Sequence, residues 1–157
     1  MVTKNTNTHS AVPDVSSAQL AVVLVRGFAK IPYFIEETFD RLHLHRKNIC
    51  VIINDTPALH GMLLKIEDYI TWGEVSPETV AQLVAKRGIV KNERLTDSKK
   101  KYSYRAFEYQ SKKYFPYFYL NPPRKGFGRK GIKVAFAAGG ALGYRGENIN
   151  DLIMRML

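Results

Sequence analysis

The chain has 157 residues, of which 45% are hydrophobic, and a formal net charge of +10 at pH 7. This length allows one domain with arms or two very small domains, and the composition allows a buried core. The single cysteine excludes an internal disulfide, no run of 18 apolar residues predicts a membrane span, and the first 20 residues lack the apolar region of a signal peptide. We therefore expect a protein of the reducing cytoplasm that has no membrane partner.

The positive charge is concentrated in residues 99–133, which we call the basic segment. It holds 11 Lys or Arg and a single acid, Glu108, whereas the sequence on either side of it is neutral. Ten of the 18 aromatic residues also lie in this segment. Disordered tails are poor in aromatic residues, so a solvated tail does not account for this composition. A neutral body with one concentrated basic segment predicts a polyanion as partner, and RNA is the polyanion we expect.

The first elements are predicted by hydrophobic periodicity. Residues 1–19 show none and predict a flexible N-terminal arm. The apolar run that begins at Leu20 and ends before Arg26 and Gly27 predicts a buried strand followed by a turn. Pro32 then opens a predicted helix, and residues 48–54 form the second predicted strand. The apolar face of that helix consists of Phe34, Ile35, Thr38, Phe39 and Leu42.

Two proline-containing caps predict the next two helices. Thr56 precedes Pro57 and Ser76 precedes Pro77, which is the pattern of an N-cap followed by proline in the first turn. The first of these helices should cover residues 57–67, and the second should end before Gly88. The core-facing residues of the first are Leu59, Met62, Leu63 and Ile66.

Alternation between these helices predicts a third strand over residues 69–75. Ile70 and Trp72 share one face of it, and Tyr69, Thr71 and Val75 the other. The order β-α-β-α-β over about 55 residues predicts an α+β fold, a small sheet covered by helices.

The rest of the chain is less regular. Residues 92–109 are predicted to be partly helical, with Thr96 as a candidate cap, and the aromatic run 114–119 is predicted to be extended. Pro122 and Pro123 exclude a helix where they stand. Residues 124–133 form a glycine-rich basic loop, and residues 147–157 a short amphipathic helix.

The glycines of that loop match a dinucleotide-binding pattern, G-x-G-x-x-G at residues 126–131. The context does not fit, because such a loop follows a buried strand and opens a helix, whereas here prolines precede it and strand-like alternation follows. Glycines between Arg and Lys residues instead allow the backbone to approach phosphates, and Phe127 is free to stack on a base.

Other residue groups do not form a persuasive catalytic or metal-binding set. His43 and His45 lack further ligands at suitable spacing, and His45 is instead a candidate RNA contact beside Arg46 and Lys47. Cys50 lies in an apolar run and is expected to be a small buried hydrophobic residue. The paired acids, Glu36 with Glu37 and Glu67 with Asp68, are adjacent in sequence and are expected on helix surfaces. We therefore predict no cofactor, no metal and no enzymatic activity.

Five stretches of the chain resemble one family. They are VRG at 25–27, TPALHGMLLK at 56–65, YITWGE at 69–74, NPPRKGF at 121–127, and GGALGYRGE at 139–147 followed by Ile149 and Asn150. In this order they resemble the large-subunit ribosomal protein family called L-thirty in archaea and bacteria and L-seven in eukaryotes. The C-terminal half resembles the archaeal form, since bacterial members stop after the β-α-β-α-β core.

The resemblance implies a ferredoxin-like core over residues 20–76, an extension over residues 77–157 that is mostly helical or irregular, and a structural role in the large ribosomal subunit. Its implied partners are large-subunit rRNA and neighbouring ribosomal proteins. The implied RNA contacts are Arg26, Lys30, His60, Lys65, Trp72, Arg124, Lys125, Phe127, Arg129, Lys130, Lys133, Tyr144 and Arg145.

The chain departs from this family over residues 97–120, where archaeal relatives usually carry a longer, more acidic helical insertion. The aromatic run 114–119 within it either packs onto the core or stacks on RNA bases, and the sequence leaves both open. Two other functions also remain open. One is an RNA-processing enzyme that uses Glu67, Asp68 or His60, and the other is a free-standing RNA-binding regulator.

Overall fold

A five-stranded sheet forms the centre of the protein. The structure is a computed structural model that describes residues 19–27, 29–92, 96, 98–99, 101 and 105–157. The predicted N-terminal arm, apart from Gln19, lies outside these residues. In chain order the elements are β1 (Gln19–Leu24), α1 (Tyr33–Arg41), β2 (Ile49–Asn54), α2 (Pro57–Lys65), β3 (Ile70–Glu74), α3 (Pro77–Arg87), β4 (Phe107–Tyr109), β5 (Lys112–Tyr114), β6 (Tyr117–Tyr119), a 3₁₀ helix (Phe136–Ala138), β7 (Gly143–Tyr144) and α4 (Asn148–Met156).

The strand order in the sheet is β6-β2-β1-β3-β7. The central strand β1 is antiparallel to both neighbours, with Val22 opposite Val51 of β2 and Trp72 of β3. β6 joins β2 in antiparallel fashion, and β7 joins β3 in parallel. Since β2 and β3 lie on either side of β1, the helix α2 crosses over the central strand. This is the predicted α+β fold with a β-α-β-α-β core, and it is confirmed.

The helix starts follow from the predicted caps. The Thr56 hydroxyl accepts a hydrogen bond from the Leu59 amide at 3.4 Å, and the Ser76 hydroxyl accepts one from the Thr79 amide at 3.3 Å. Each bond satisfies an amide that has no partner inside the helix. α2 ends two residues earlier than predicted, at Lys65, because residues 66–69 turn the chain into β3.

Each face of the sheet buries its own apolar cluster. The first, under α1 and α2, contains Leu20, Val22, Leu24, Phe39, Leu42, Leu44, Ile49, Val51, Ile53, Leu63, Ile66, Ile70 and Trp72. The second, under α3 and α4, contains Ala21, Val23, Cys50, Ile52, Val80, Leu83, Val84, Phe118, Leu120, Ile149, Leu152, Ile153 and Met156. Burial raises the pKa of the Cys50 thiol to about 12, so this residue is the buried hydrophobic group expected.

Two side chains depart from their predicted faces. Phe34 is 55% exposed rather than buried, because it lies in the first turn of α1, where the Lys65 ammonium is 5.3 Å from its ring centroid. Tyr69 packs on the same cluster as Ile70 and Trp72. It precedes β3 in the turn, so strand alternation does not apply to it.

The predicted helical content of residues 92–109 is wrong in the described part of that stretch, which contains no helix. Phe107–Tyr109 is instead β4, paired with β5 in a hairpin whose turn residues Gln110 and Ser111 have positive φ angles of 46° and 63°. Phe107 contacts the buried Phe118 ring, with centroids 5.8 Å apart. Strand pairing and this tertiary contact override the local helical preference.

The aromatic run 114–119 packs onto the core, which decides between the two alternatives for most of its residues. Phe118 is 1% exposed, Tyr114 packs against the second cluster, and Tyr117 packs against the first. Tyr119, at the end of β6, remains 42% exposed. The predicted C-terminal helix is α4. Among the described helices, none is long and apolar enough to cross a membrane.

Candidate nucleic-acid interface

The two ends of the sheet differ in what they carry. At the end that we call the loop end, β1 and β6 finish while β2 and β3 begin. At the opposite end, called the far end, β1 begins while β2 and β3 finish. The loop end is closed by backbone hydrogen bonds, since the amides of Val25 and Arg26 both donate to the Tyr69 carbonyl at 3.0 Å. The Asn48 amide donates to the Leu24 carbonyl at 2.8 Å.

Residues 124–133, called the basic loop, are attached to the loop end. Phe127 packs against a small buried cluster formed by Val25, Ala141 and Leu142. The Lys130 amide donates to the Gly139 carbonyl at 3.1 Å, which holds the middle of the loop. The loop is therefore docked on the body by its one aromatic residue. Partial burial of Phe127 in this docking leaves it less free to stack on a base than the sequence predicts.

The charged side chains of the basic loop face solvent. Exposed cations are Arg124, Lys125, Arg129, Lys130 and Lys133. No ion pair within the described residues joins any of them to a carboxylate. Uncompensated positive charge on a docked loop is a favourable arrangement for binding phosphate groups, because counterions are released and little chain entropy is lost.

Arg145 lies beneath the basic loop and is 5% exposed. Its Nε donates to the Thr71 hydroxyl at 3.2 Å, and its Nη2 donates to the carbonyls of Phe127 at 3.3 Å and Ala141 at 3.1 Å. Its guanidinium also lies 4.4 Å from the centroid of the Phe136 ring. Burial lowers the pKa of Arg145. This arginine therefore connects β3 to the basic loop from inside the protein.

Arg155 also holds the basic loop, from the protein surface. Its neighbours in the sequence do not indicate this role. Its Nη1 donates to the carbonyls of Arg124 at 3.1 Å and Gly126 at 2.9 Å, and its Nε donates to Asp151 at 3.0 Å. α4 thus holds the start of the basic loop. The carbonyls that Arg155 binds are far away in sequence, so only the fold brings these groups together.

Three cations of the core lie near the loop end. Arg26 donates to the Asp68 carbonyl at 2.9 Å, with its guanidinium 5.1 Å from the Tyr69 ring centroid. Lys30 is exposed in a turn with φ 57°, and Lys65 is exposed in the last turn of α2. The acids Glu67 and Asp68 follow Lys65 closely, so positive charge is less concentrated here than on the basic loop.

The other residues implied by the resemblance form an aromatic cluster directed towards the far end. The His60 and Trp72 ring centroids are 4.8 Å apart, and so are those of Trp72 and Tyr144. His60 Nδ1 is 3.2 Å from Asp55 Oδ1, and the Tyr144 hydroxyl donates to Glu74 at 2.6 Å. Trp72 is buried, and its Nε1 has no hydrogen-bond partner among the described residues.

Carboxylates dominate the electrostatics of this aromatic cluster. The hydrogen bond to Glu74 raises the pKa of Tyr144, and the negative charges of Glu74, Glu147 and Asp55 raise it further. Since these charges would repel a phosphate, the surroundings of Tyr144 do not favour the RNA backbone. The structure therefore separates His60, Trp72 and Tyr144 from the basic loop.

The residues of the alternative enzyme hypothesis are not brought together. His60 lies in the second turn of α2, whereas Glu67 and Asp68 follow its last turn. At 1.5 Å per residue, about 7.5 Å of helix axis separates His60 from Lys65, and Glu67 lies beyond it in the following turn. His43 and His45 have ring centroids 6.0 Å apart, and no group of three His, Cys, Asp or Glu side chains in the described chain is placed to hold a metal ion.

Comparison with known proteins agrees with the sequence resemblance. The family model for ribosomal protein L30p/L7e matches residues 20–70. The large ribosomal subunit protein uL30 of Nanoarchaeum equitans is 43% identical over 154 residues, covering 89% of this chain and 99% of the relative. Its counterparts in Methanopyrus kandleri and Methanococcus maripaludis (strain DSM 14266) are 43% and 41% identical, and cover 85% and 87% of this chain and 100% and 98% of each relative. At this identity, and over nearly the full length of these archaeal relatives, the chain belongs to the ribosomal protein L30p/L7e family.

Proposed function

We propose that this protein binds large-subunit rRNA through the loop end of its sheet. As a member of the L30p/L7e family it is a non-catalytic, structural protein of the large ribosomal subunit, whose partners are rRNA and other ribosomal proteins. The basic loop carries the proposal, because five exposed cations are presented there by a segment that Phe127 docks onto the body. Binding requires no reaction step, since neutralising phosphates and fitting the RNA shape are sufficient.

The proposed contacts differ in kind from one another. We assign phosphate binding to eight exposed or partly exposed cations, namely Arg26, Lys30, Lys65, Arg124, Lys125, Arg129, Lys130 and Lys133. Arg145 and Phe127 support the same surface from beneath, since their polar and apolar contacts hold the basic loop in place. Tyr144 and His60 are left out of this set because carboxylates lie beside them, and Trp72 because it is buried.

Fractionation of a cell extract on a sucrose gradient tests the assignment to the ribosome. We expect the protein to migrate with large subunits in equal amounts, and to stay there after a wash in high salt. Recovery only in the soluble fractions at the top of the gradient would contradict this function. Such a result would support a free-standing RNA-binding regulator instead.

The electrostatic part of the proposal has its own test in a titration of purified protein with large-subunit rRNA. If about 6 to 10 phosphates are contacted, affinity should fall roughly 10³- to 10⁵-fold between 50 and 200 mM salt. An affinity that does not change over this range would show that phosphate contacts do not dominate binding.

A further inference from the structure

A cleft opens at the edge of the sheet beside β6, close to the loop end. Its volume is about 590 Å³. The described residues that line it are Arg46, Lys47, Asn48, Arg87, Tyr119, Leu120, Asn121 and Pro122. These residues come from three separate parts of the chain, and the family resemblance assigned none of them to RNA. A cavity of this size is in the range of small-ligand sites.

The floor of the cleft is fixed by backbone hydrogen bonds. Ile49 of β2 lies opposite Tyr119 of β6, and the Leu120 amide donates to the Asn48 carbonyl at 3.0 Å. The Asn121 amide donates to the Met156 carbonyl at 3.0 Å, which joins the cleft to the end of α4. The backbone around the cleft is thus held by paired strands and a helix.

The cleft is positively charged. Arg46, Lys47 and Arg87 line it, and none of its described lining residues is Asp or Glu. Arg87 donates a hydrogen bond to the Leu157 backbone oxygen at 3.1 Å, so it is already engaged by an acceptor. The Lys47 side chain passes close to Gly27. If residue 27 had a side chain, its Cβ would lie only 2.7 Å from the Cε of Lys47. Lys47 therefore connects the cleft to the turn that carries Arg26.

One aromatic ring stands among these cations. Tyr119 is 42% exposed, and its ring centroid lies 5.3 Å from that of Tyr117 in an edge-on arrangement. Tyr117 is packed on the first apolar cluster, and its ring supports one side of the Tyr119 ring. An exposed, supported ring beside cations is the combination that proteins use to bind an unstacked base and its phosphate.

We propose that this cleft binds a nucleotide of single-stranded RNA, with the base against Tyr119 and the phosphate on Arg46 and Lys47. The proposal rests on the RNA-binding function above, but it concerns residues outside the basic loop. A phosphate alone would use the cations and not the ring, and duplex RNA would keep its bases stacked and out of reach of Tyr119. An affinity that depends on the Tyr119 ring therefore distinguishes a single-stranded nucleotide from a free phosphate and from duplex RNA.

Fluorescence anisotropy with labelled hexaadenylate tests the proposal on the full chain. Replacing Tyr119 by Leu removes the ring and keeps an apolar side chain at the sheet edge, so affinity should fall about 5- to 150-fold. Tyr119→Phe should bind like the unchanged protein, because stacking does not need the hydroxyl. Thermal unfolding of both variants establishes that they are folded.

Matched variants control for charge and position. The double variant Arg46→Ala, Lys47→Ala should weaken binding and lower the dependence of log affinity on log salt by about 1 to 2, as expected for loss of one or two phosphate contacts. Lys86→Ala removes an exposed cation next to Arg87 in sequence but outside the cleft, and should change affinity less than about 2-fold. Duplex RNA of equal length can use the cations but not the ring, so its affinity should be the same for the Tyr119→Leu variant and the unchanged protein.

The outcomes separate this proposal from the proposed function. Equal affinity of the Tyr119→Leu variant and the unchanged protein, or no measurable binding of hexaadenylate, would overturn the nucleotide site while leaving rRNA binding by the basic loop intact. Loss of affinity in the Tyr119→Phe variant as well would also overturn it, because the ring would then not be the binding element. Conversely, ring-dependent binding together with salt-independent rRNA affinity would retain the cleft and refute the electrostatic role of the basic loop.

Discussion

The loop end and the far end of the sheet are built from the same three core strands but carry opposite charge. At the loop end the docked basic loop adds exposed cations to those of the turns around Arg26 and Lys47. At the far end the Tyr144 hydroxyl donates to Glu74, and the negative charges of Glu74, Glu147 and Asp55 help raise its pKa. We therefore expect a phosphate to be attracted by the described residues of the loop end and repelled by those around Tyr144.

This difference shows why the charge of a segment and the charge of a surface are separate quantities. Residues 1–98 contain 11 basic and 11 acidic side chains, so their net charge of zero suggests no preference for a charged partner. In the fold, part of the negative charge is collected at the far end, and Arg26 and Lys65 lie near the loop end. The sheet separates these acidic and basic side chains, because the residues that precede a strand and those that follow it lie at opposite ends of the sheet.

The largest expected effect comes from removing the Arg145 guanidinium, which connects the basic loop to β3. Replacing Arg145 by Met leaves the Thr71 hydroxyl and the carbonyls of Phe127 and Ala141 without their donor. Because buried acceptors without partners are costly, we expect the free energy of unfolding to fall by about 2 to 4 kcal/mol in urea titrations. Arg155→Met removes a more exposed contact to the same loop and should cost less. A stability of the Arg145→Met variant within about 0.5 kcal/mol of the unchanged protein would contradict this role.

The next effect concerns the charge of the basic loop itself. Replacing Lys125, Arg129 and Lys130 by Ala should lower affinity for large-subunit rRNA about 100-fold near 150 mM salt, with the salt slope reduced by about 3. The unfolding free energy should change little, because these side chains are exposed.

The hairpin supplies the matched control, since it belongs to the same basic segment. Lys112 and Lys113 lie on β5, and Lys113 is paired with Glu108 at 3.1 Å. Replacing both by Ala should reduce affinity much less than the three changes in the loop. An equal loss per removed charge would show that net charge alone, and not the docked loop, determines binding.

Much of the core was predictable from local sequence, because the signals there act over a few residues. Thr56 with Pro57, and Ser76 with Pro77, mark helix starts through bonds to amides three positions ahead. The buried strands follow from apolar runs bounded by turns. The hairpin of β4 and β5 was not predictable in this way, because it depends on pairing and on the contact of Phe107 with Phe118, eleven residues away.

The arrangement of the candidate interface was predictable in part, for a similar reason. Composition located the basic loop, because a cluster of Arg and Lys residues can be read directly from the sequence. The role of Arg145 was not visible, because burial depends on the loop that covers it. The family resemblance implied RNA contacts at both Tyr144 and Arg145, which are adjacent in sequence. In the fold, Tyr144 is half exposed near carboxylates, whereas Arg145 is buried.

The smallest expected effect is at the far end, and it tests the comparison most directly. Tyr144→Phe removes the hydroxyl that donates to Glu74 but keeps the ring against Trp72. If the far end does not contact RNA, affinity for large-subunit rRNA should change less than about 2-fold, as is usual for an exposed site away from the interface. A loss of about tenfold or more, in a variant whose thermal stability is unchanged, would place RNA at the far end. The carboxylates around Tyr144 would then have to be neutralised by a cation or a basic partner, because a phosphate could not approach them otherwise.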